Sequence, residues 1–291
     1  MRALAPVKYY TATSIEDACQ VLNQAAGKGK VLAGGSDIVD WLRKRYMPTP
    51  EVLVDIKKLG LDTIEEKEDG LHIGAAVKLS QLVDKSPIPM LAEAARKGPS
   101  PQLQNQATVG GNLCQNVWCW YYRLKDWNCY RKGGPICFVP GGRNQYNAIM
   151  EQKVCNAIVP GDLSVALTAL NANVNIAGME GARTVPMKDF YIVLGNVLKP
   201  DEIITDIVVP EKPSKGVFLK SRTRGAIDFA TASVALATTS QGTTVALGGV
   251  APIIPSGTPE EIRSALNNAT PLSENRYKIN IVKHLLSEAG A

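Results

Sequence analysis

Four cysteines in one stretch of the chain are the residues best suited to do chemistry. Cys119, Cys129, Cys137 and Cys155 lie ten, eight and eighteen residues apart in a segment rich in glycine and proline. A loop of that composition can fold four thiolates around one centre, as an iron–sulfur cluster or a zinc ion requires. The spacing lacks the Cys-x-x-Cys pairs of most zinc sites. It therefore leaves a cluster, zinc and unligated thiols as open alternatives.

The distribution of the cysteines argues against disulfides. Five of the six cysteines lie between residues 114 and 155, and Cys19 stands alone. Residues 1–6 lack the apolar core of a signal peptide. We therefore expect a cytoplasmic location, where thiols stay reduced and crowded cysteines indicate metal or redox chemistry.

Two glycine pairs predict places where the backbone approaches an anion. The runs are Ala-Gly-Gly-Ser-Asp at 33–37 and Thr-Val-Gly-Gly-Asn at 108–112. Glycine lets the backbone come close to a ligand, and successive N–H groups can converge on phosphate oxygens. Most such pairs are only turns, but two with similar polar flanks leave nucleotide binding and plain turns as equal alternatives. Neither run has the spacing of a Rossmann fingerprint or a Walker loop.

The elements that position these residues indicate an α+β chain. Ser14, with Asp17 three residues later, predicts the start of a helix. Residues 31–33 form a short apolar strand that leads directly into the first glycine pair, and 69–70 predicts a hairpin turn. Beyond residue 175 alternating strand patterns dominate, and two helices close the chain.

Length and composition fit two domains. The chain has 291 residues, of which 45% are hydrophobic and 20% charged, and this near-average composition excludes disorder and coiled coil. We expect one domain over residues 1–175, containing the cysteine segment 114–155, and an α+β domain over 176–291. The net charge of +5 is too mild and scattered to indicate nucleic-acid binding. No run approaches the roughly 18 apolar residues of a membrane span.

No hydrolytic constellation accompanies these motifs. The chain has two histidines, His72 and His284, which lie far from the cysteines and from each other in sequence. No Ser/His/Asp set or pair of carboxylates stands out, so we predict no catalytic side chain.

The glycine pairs and several other runs together resemble a known family. They are similar to the medium, FAD-binding subunits of molybdenum hydroxylases, a family that includes xanthine dehydrogenase, carbon monoxide dehydrogenase, aldehyde oxidoreductase and 4-hydroxybenzoyl-CoA reductase. The matching runs are 33–37, 100–105, 107–113, 160–163, 218–220, 224–230 and 247–252. The resemblance implies an N-terminal FAD-binding domain of two α/β subdomains and a C-terminal antiparallel sheet with helices.

The cysteine segment narrows the resemblance. The run Gly-Asn-Leu-Cys-Gln at 111–115, followed by the four spaced cysteines, resembles the subgroup whose flavin subunit has an additional [4Fe-4S] cluster. This likeness implies that Cys119, Cys129, Cys137 and Cys155 are the cluster ligands. In the CoA reductase pattern the last cysteine falls near Tyr146, so Cys155 matches the aldehyde oxidoreductase arrangement better.

The resemblance also implies which residues hold FAD. Ser36 replaces the family's usual threonine and keeps its hydroxyl, whereas Gly161 stands where serine is common. The implied FAD-binding residues are Val31, Leu32, Ala33, Gly34, Gly35, Ser36, Asp37, Thr108, Gly110, Gly111, Asn112, Asp162, Ile204 and Lys220. Taken without the family, Asp162 would be interpreted as a helix cap, Lys220 as an ordinary strand residue and Ile204 as a core residue.

The implied function is electron transfer in a heterotrimeric complex. A large partner subunit would hold a molybdopterin cofactor, and a small one would hold two [2Fe-2S] clusters. FAD would pass their electrons to or from NAD, ferredoxin or quinone. The alternative is a zinc-stabilised nucleotide-binding or interaction module without a redox role.

Overall fold

The computed structural model describes residues 6–225 and 227–291. Most of the run 1–6 considered above for a signal peptide, residues 1–5, therefore lies outside the described residues. The helices in the described part are α1 (Ile15–Gln24), α2 (Ile38–Lys44), α3 (Leu79–Lys85), α4 (Pro89–Lys97), α5 (Pro101–Gln104), α6 (Val109–Leu113), α7 (Asp162–Ala169), α8 (Pro259–Asn267) and α9 (Tyr277–Ala289). The strands are β1 (Lys8–Thr11), β2 (Gly29–Leu32), β3 (Val52–Asp55), β4 (Ile64–Lys67), β5 (Gly70–Gly74), β6 (Asn173–Gly178), β7 (Gly181–Pro186), β8 (Tyr191–Ile192), β9 (Gly195–Asn196), β10 (Ile203–Val209), β11 (Lys215–Ser221), β12 (Ala232–Thr239), β13 (Gly242–Gly248) and β14 (Ser256–Gly257).

The first unit is a small parallel sheet in the order β1-β3-β2. Helix α1 begins at the predicted place, because the Asp17 amide donates a 3.1 Å hydrogen bond to Ser14 Oγ and caps the first turn. Ala18 and Leu22 of this helix are buried against the sheet. Since β2 ends at Leu32, the first glycine turn leaves the sheet at the carboxyl edge of its strands.

The second unit is an antiparallel sheet in the order β4-β5-β10-β6-β7. The predicted hairpin is confirmed between β4 and β5, and Gly70 adopts the positive φ of 137° that suits a glycine there. Helices α3, α4, α6 and α7 pack on this sheet. All residues of α7 are buried, which makes it the central helix of the molecule.

The third unit is an antiparallel sheet in the order β11-β12-β13-β14. Helices α8 and α9 contact this sheet, and so do α4 and α7. The apolar side chains that α8 and α9 bury share a core with β12 and β13. The expected α+β class, with two N-terminal α/β subdomains and a C-terminal antiparallel sheet, is confirmed.

The domain boundary expected at residue 175 falls inside β6. That strand pairs with β10 and β7, so its sheet is built from residues on both sides of the boundary. We propose a division after β10, before β11 opens the C-terminal sheet.

The cysteine segment connects α6 to α7 with little regular structure. In its described residues it has one 3-10 turn, Tyr130–Lys132, and one isolated bridge between Trp118 and Ile158. Within residues 6–225 and 227–291, no helix is long and apolar enough to span a membrane.

Candidate cofactor sites

The two glycine runs meet in space. A Cβ atom at residue 34 would lie 1.7 Å from the carbonyl oxygen of Gln106, which directly precedes the second run. Gly35 has a φ of 75°, which strains any residue with a side chain. The first run therefore needs both glycines, one for close approach and one for backbone conformation.

The two runs differ in what they offer a ligand. In the described part of the chain, the amides of Gly34, Gly35 and Ser36 donate to no protein acceptor. Four of the five amides of the second run, those of residues 109–112, are used internally. Gly110 donates to the Ala75 oxygen at 2.8 Å and Gly111 donates to Thr108 Oγ1 at 3.2 Å. The expectation that both runs present free amides thus holds only for the first run.

The second run contributes shape instead. It forms the short helix α6, in which Gly110 and Gly111 keep ordinary helical φ values. A Cβ at residue 110 would come within 3.0 Å of Ala75. The Thr108 hydroxyl accepts the bond from Gly111, and its proton is still available to a ligand.

A cavity of about 450 Å³ lies between the two runs. Its size is in the range of cofactor sites in general. The residues implied for FAD that line it are Val31, Ala33, Gly34, Gly35, Ser36, Asp37, Thr108, Gly110, Gly111 and Ile204. Leu32, Asn112, Asp162 and Lys220 do not line it.

Asp162 and Lys220 form a buried ion pair beyond this cavity. Lys220 Nζ lies 2.7 Å from Asp162 Oδ2 and also donates to the Lys97 oxygen at 3.0 Å. Burial raises the pKa of the Asp162 carboxyl, and the Lys220 ammonium acts in the opposite direction. Asp162 is the first residue of α7 and makes no capping bond, so the helix-cap interpretation is wrong.

Two acceptors beside this pair have no partner in the described part of the chain. Asp162 Oδ1 and Asn112 Oδ1 are both buried without a hydrogen bond. Both acceptors lie next to Gly161. Asp162 follows it in the chain, and a Cβ atom on residue 161 would lie 3.1 Å from Asn112 Oδ1. Unpaired buried acceptors are costly, so a ligand that donates hydrogen bonds fits this place.

Trp41 is a candidate binding residue that sequence reasoning missed. Its ring lines the cavity, and its indole N–H is buried without an acceptor among the described residues. The residue is 8% exposed and belongs to α2, the helix that follows the first glycine run. The signal was available, because Ile38 and Trp41 are three residues apart and share one helical face.

The cavity wall also includes residues from the cysteine segment. Cys114 and Asn116 line it, as does Lys199 from the loop before β10. Cys114 is exposed toward the cavity but surrounded by protein atoms, and this desolvation raises the pKa of its thiol to about 12. The sequence offers no reason to assign Cys114 a binding role. Only the fold shows that Cys114 lines the same cavity as the glycine runs.

The four spaced cysteines come together in a second cavity. Cys119, Cys129, Cys137 and Cys155 all line it, and none forms a disulfide. The cavity is small, about 10 Å³. Its wall is mostly aromatic and aliphatic, which shields the thiols from water.

Two side-chain donors, one in the segment and one directly after it, lie close to two of the sulfurs. Arg131 Nη1 lies 3.9 Å from Cys155 Sγ, and Asn156 Nδ2 lies 3.4 Å from Cys137 Sγ. Burial raises the pKa of the Cys155 thiol and raises that of Cys119 to about 11. A buried thiolate is stable when a bound metal compensates its negative charge, and thiolates are common metal ligands.

The arrangement is not that of a single-ion site. Over the two described ranges, no group of three or more His, Cys, Asp or Glu residues converges closely enough to hold a metal ion. Zinc would need its thiolates about 2.3 Å from one point.

Comparison with known proteins identifies the family of the chain. The model of the family described as "FAD binding domain in molybdopterin dehydrogenase" matches residues 5–212. The chain is 32% identical over 284 residues to the aldehyde oxidoreductase FAD-binding subunit PaoB of Escherichia coli (strain K12), covering 89% of each. It is 26% identical over 278 residues to the carbon monoxide dehydrogenase medium chain of Hydrogenophaga pseudoflava, covering 92% of this chain and 77% of that one.

A solved structure shows the same fold. Carbon monoxide dehydrogenase from Hydrogenophaga pseudoflava matches with a TM-score of 0.77 at 21% identity, over 99% of this chain and 96% of that one. The matched family spans the first two units of the fold, including both glycine runs and the cysteine segment. The chain therefore belongs to the family of FAD-binding domains of molybdopterin dehydrogenases, which are components of oxidoreductases.

Proposed function

We propose that the chain is the flavoprotein electron-transfer subunit of a molybdenum-containing dehydrogenase or hydroxylase complex. When bound, FAD supplies the chemistry of exchanging electrons between the [2Fe-2S] clusters of a small partner subunit and an external acceptor or donor. NAD, ferredoxin and quinone are the candidates for that external partner. Substrate oxidation or reduction belongs to a molybdopterin cofactor in a large partner subunit.

The observation that supports FAD binding best is the first glycine turn. The free amides of Gly34, Gly35 and Ser36 face a cavity closed on the other side by the second glycine run. These donors suit the pyrophosphate oxygens of FAD, because backbone N–H groups hold anions without the desolvation cost of a buried charge. The hydroxyl of Thr108 and the indole N–H of Trp41 are additional donors.

The buried acceptors lie outside the lining of the cavity and suit a part of the cofactor that extends beyond it. Asp162 Oδ1 and Asn112 Oδ1 can accept hydrogen bonds from ribityl hydroxyls or a flavin ring N–H. Lys220 fixes the Asp162 carboxylate, and Ile204 contributes an apolar wall to the cavity. The protein thereby positions the flavin and sets its electrostatic surroundings, without acid–base catalysis.

We propose in addition that Cys119, Cys129, Cys137 and Cys155 hold a [4Fe-4S] cluster. Two observations support it: the four thiols line one cavity, and no histidine lines that cavity with them. In this role Arg131 and Asn156 would stabilise the negative charge on the sulfurs through the contacts described above.

Cofactor analysis of the purified chain tests these proposals. We expect the visible bands of FAD together with about four iron atoms per chain. Cys155→Ser should lose the iron, whereas Cys114→Ser, which changes a thiol outside the cysteine cavity, should keep it. A colourless, iron-free chain with stoichiometric zinc would establish the zinc-stabilised alternative instead.

Purification from the native cells tests the partners. A tagged chain should bring with it a larger subunit that contains molybdopterin and a smaller one that contains [2Fe-2S] clusters. Recovery of an active monomer would contradict the assignment as one subunit of a complex.

A further inference from the structure

One buried cluster contacts two cavities: the cavity between the glycine runs, proposed above to bind FAD and called the FAD cavity below, and the cavity lined by the four cysteines. Helix α2 begins directly after the first glycine turn, and its Trp41 faces the FAD cavity. On its other side, Trp41 belongs to the same buried cluster as Cys119, Cys129 and Cys155. Trp41 of α2 therefore contacts both the FAD cavity and the buried cluster that holds three of the four cysteines.

Arg123 connects the two sites by direct contacts. It comes from the cysteine segment, and its Nη2 lies 3.6 Å from Asp37 Oδ1 in the FAD cavity wall. The same guanidinium donates to the backbone oxygens of Asn116 at 2.7 Å and Val117 at 3.0 Å. The Asn116 amide in turn donates to Asp37 Oδ2 at 3.3 Å.

The surroundings of Arg123 fix its position. Its guanidinium lies 5.4 Å from the ring centres of both Trp118 and Phe229. The side chain is 10% exposed, and that of Asp37 is 23% exposed. An arginine held by two aromatic rings and two carbonyls keeps its charge in place beside the carboxylate.

The contacts continue from Asn116 to the cysteine cavity. Tyr122 donates from its hydroxyl to Asn116 Oδ1 at 3.0 Å. Its ring lines the cysteine cavity and lies beneath the guanidinium of Arg131, which contacts Cys155. A continuous set of contacts thus joins Asp37 to the thiols.

We propose that Arg123 is a positioning residue that couples FAD binding to the order of the cysteine segment. Without it, the Asp37 carboxylate would keep the bond from the Asn116 amide but lose the positive charge beside it, and its negative charge would repel the pyrophosphate. With it, the segment that holds the thiols also completes the FAD cavity. By linkage the coupling is reciprocal, so bound FAD must order the cysteine segment in return. The inference rests on the proposed binding of FAD in this cavity.

Substitution of Arg123 tests the first half of the proposal. Arg123→Met in the full chain should weaken FAD affinity about tenfold or more, measured by titrating the apoprotein with FAD. Arg123→Lys keeps the positive charge but lacks the planar set of N–H donors of a guanidinium. Its FAD affinity should therefore lie between those of the wild-type chain and Arg123→Met. Lys125→Met removes an exposed charge from the same segment and should leave the affinity unchanged. In a double-mutant cycle, Asp37→Asn and Arg123→Met should be non-additive.

Thiol labelling tests the second half without requiring a cluster. In an iron-free Cys114→Ser chain, which removes the thiol inside the FAD cavity, FAD should slow labelling of the other segment cysteines several-fold. When Arg123→Met is added to that chain, FAD should no longer slow the labelling, even at concentrations that saturate the FAD site of the variant. Labelling of Cys19, buried in the N-terminal core, should be the same with and without FAD.

The outcomes separate this inference from the proposed function. If the wild-type chain binds no FAD, the proposed function fails and the inference with it. If the chain binds FAD and Arg123→Met matches Lys125→Met in both measurements, the coupling is overturned while FAD binding stands. If Arg123→Met does not fold, the Arg123→Lys and Asp37→Asn variants decide by the same two measurements.

Discussion

At Gly34 a single missing side chain lets the two walls of the FAD cavity touch. A methyl group there would overlap the Gln106 carbonyl oxygen, and that oxygen belongs to the backbone and cannot rotate away. We expect Gly34→Ala to retain less than about a tenth of the FAD of the wild-type chain, because the two runs must move apart. Flavin absorbance of the purified protein measures this.

Gly141 offers a matched control for that substitution. It lies in the cysteine segment with ordinary φ, and a Cβ there would meet nothing within 4 Å. Gly141→Ala should keep its FAD. Equal FAD content in the two variants would show that close approach at residue 34 is dispensable.

Lys278 illustrates a different consequence of packing for one residue. Its ammonium is fully buried and donates to the backbone oxygens of Tyr146, Asn147 and Gly249 at 2.7–3.0 Å. Burial lowers the pKa of this lysine to about 7. The unfolded chain keeps the ordinary lysine value near 10.4, so it binds more protons than the folded chain between these two values.

The stability contributed by Lys278 should therefore rise with pH above 7. Between pH 7 and pH 9, the free energy of unfolding of the wild-type chain should increase by about 2 kcal/mol relative to Lys278→Met. Urea denaturation of both proteins at the two pH values measures the difference, and other titrating groups cancel. A difference independent of pH would show that the lysine titrates at its ordinary value.

At the scale of elements, the helix ends follow from short sequence patterns. Helix α8 has a complete capping box: the Glu261 amide donates to Thr258 Oγ1 at 3.3 Å, and the Thr258 amide donates to Glu261 Oε2 at 2.8 Å. Thr258→Ala should lower the free energy of unfolding by about 1 kcal/mol. Thr63→Ala, an exposed position outside the helices, should be neutral in the same urea titration. Equal effects would mean that the cap contributes nothing.

The cysteine segment is an element with few regular hydrogen bonds of its own, and side chains from elsewhere hold it. Asn275 Nδ2 donates to the backbone oxygens of Asn147 and Ala148, next to the contacts of Lys278. The Ile149 amide donates to the Val250 oxygen at 2.8 Å. The end of the segment is thus fixed by the C-terminal unit, although its start belongs to the FAD cavity.

For the whole molecule, this arrangement predicts that the C-terminal unit protects the end of the cysteine segment. Asn275→Ala should raise hydrogen exchange across residues 146–150, because it removes two bonds from their backbone. Exchange in the β1-β3-β2 sheet should not change. Mass spectrometry of the exchanged peptides measures both regions. Unchanged exchange at 146–150 would mean that the end of the segment is stabilised by its own contacts and not by Asn275.

The sequence predicted local structure well. The Ser14 cap, the hairpin at Gly70 and the strand before Gly34 depend on residues close in the chain, and the structure has each of them. It was less successful with the second glycine run, which is helical and keeps its amides for the protein. That outcome depends on Ala75 and Val77, residues distant in sequence that accept those bonds.

The sequence by itself determined the α+β class, the family resemblance and the four thiols in one segment, since these depend on residue types and local spacing. Only the tertiary structure decided that Trp41 and Cys114 face the FAD cavity and that Arg123 meets Asp37 there. It also set Lys278 among three carbonyls. The physical reason is that these contacts join residues far apart in the chain, and their energies depend on burial and charge that exist only after the units pack.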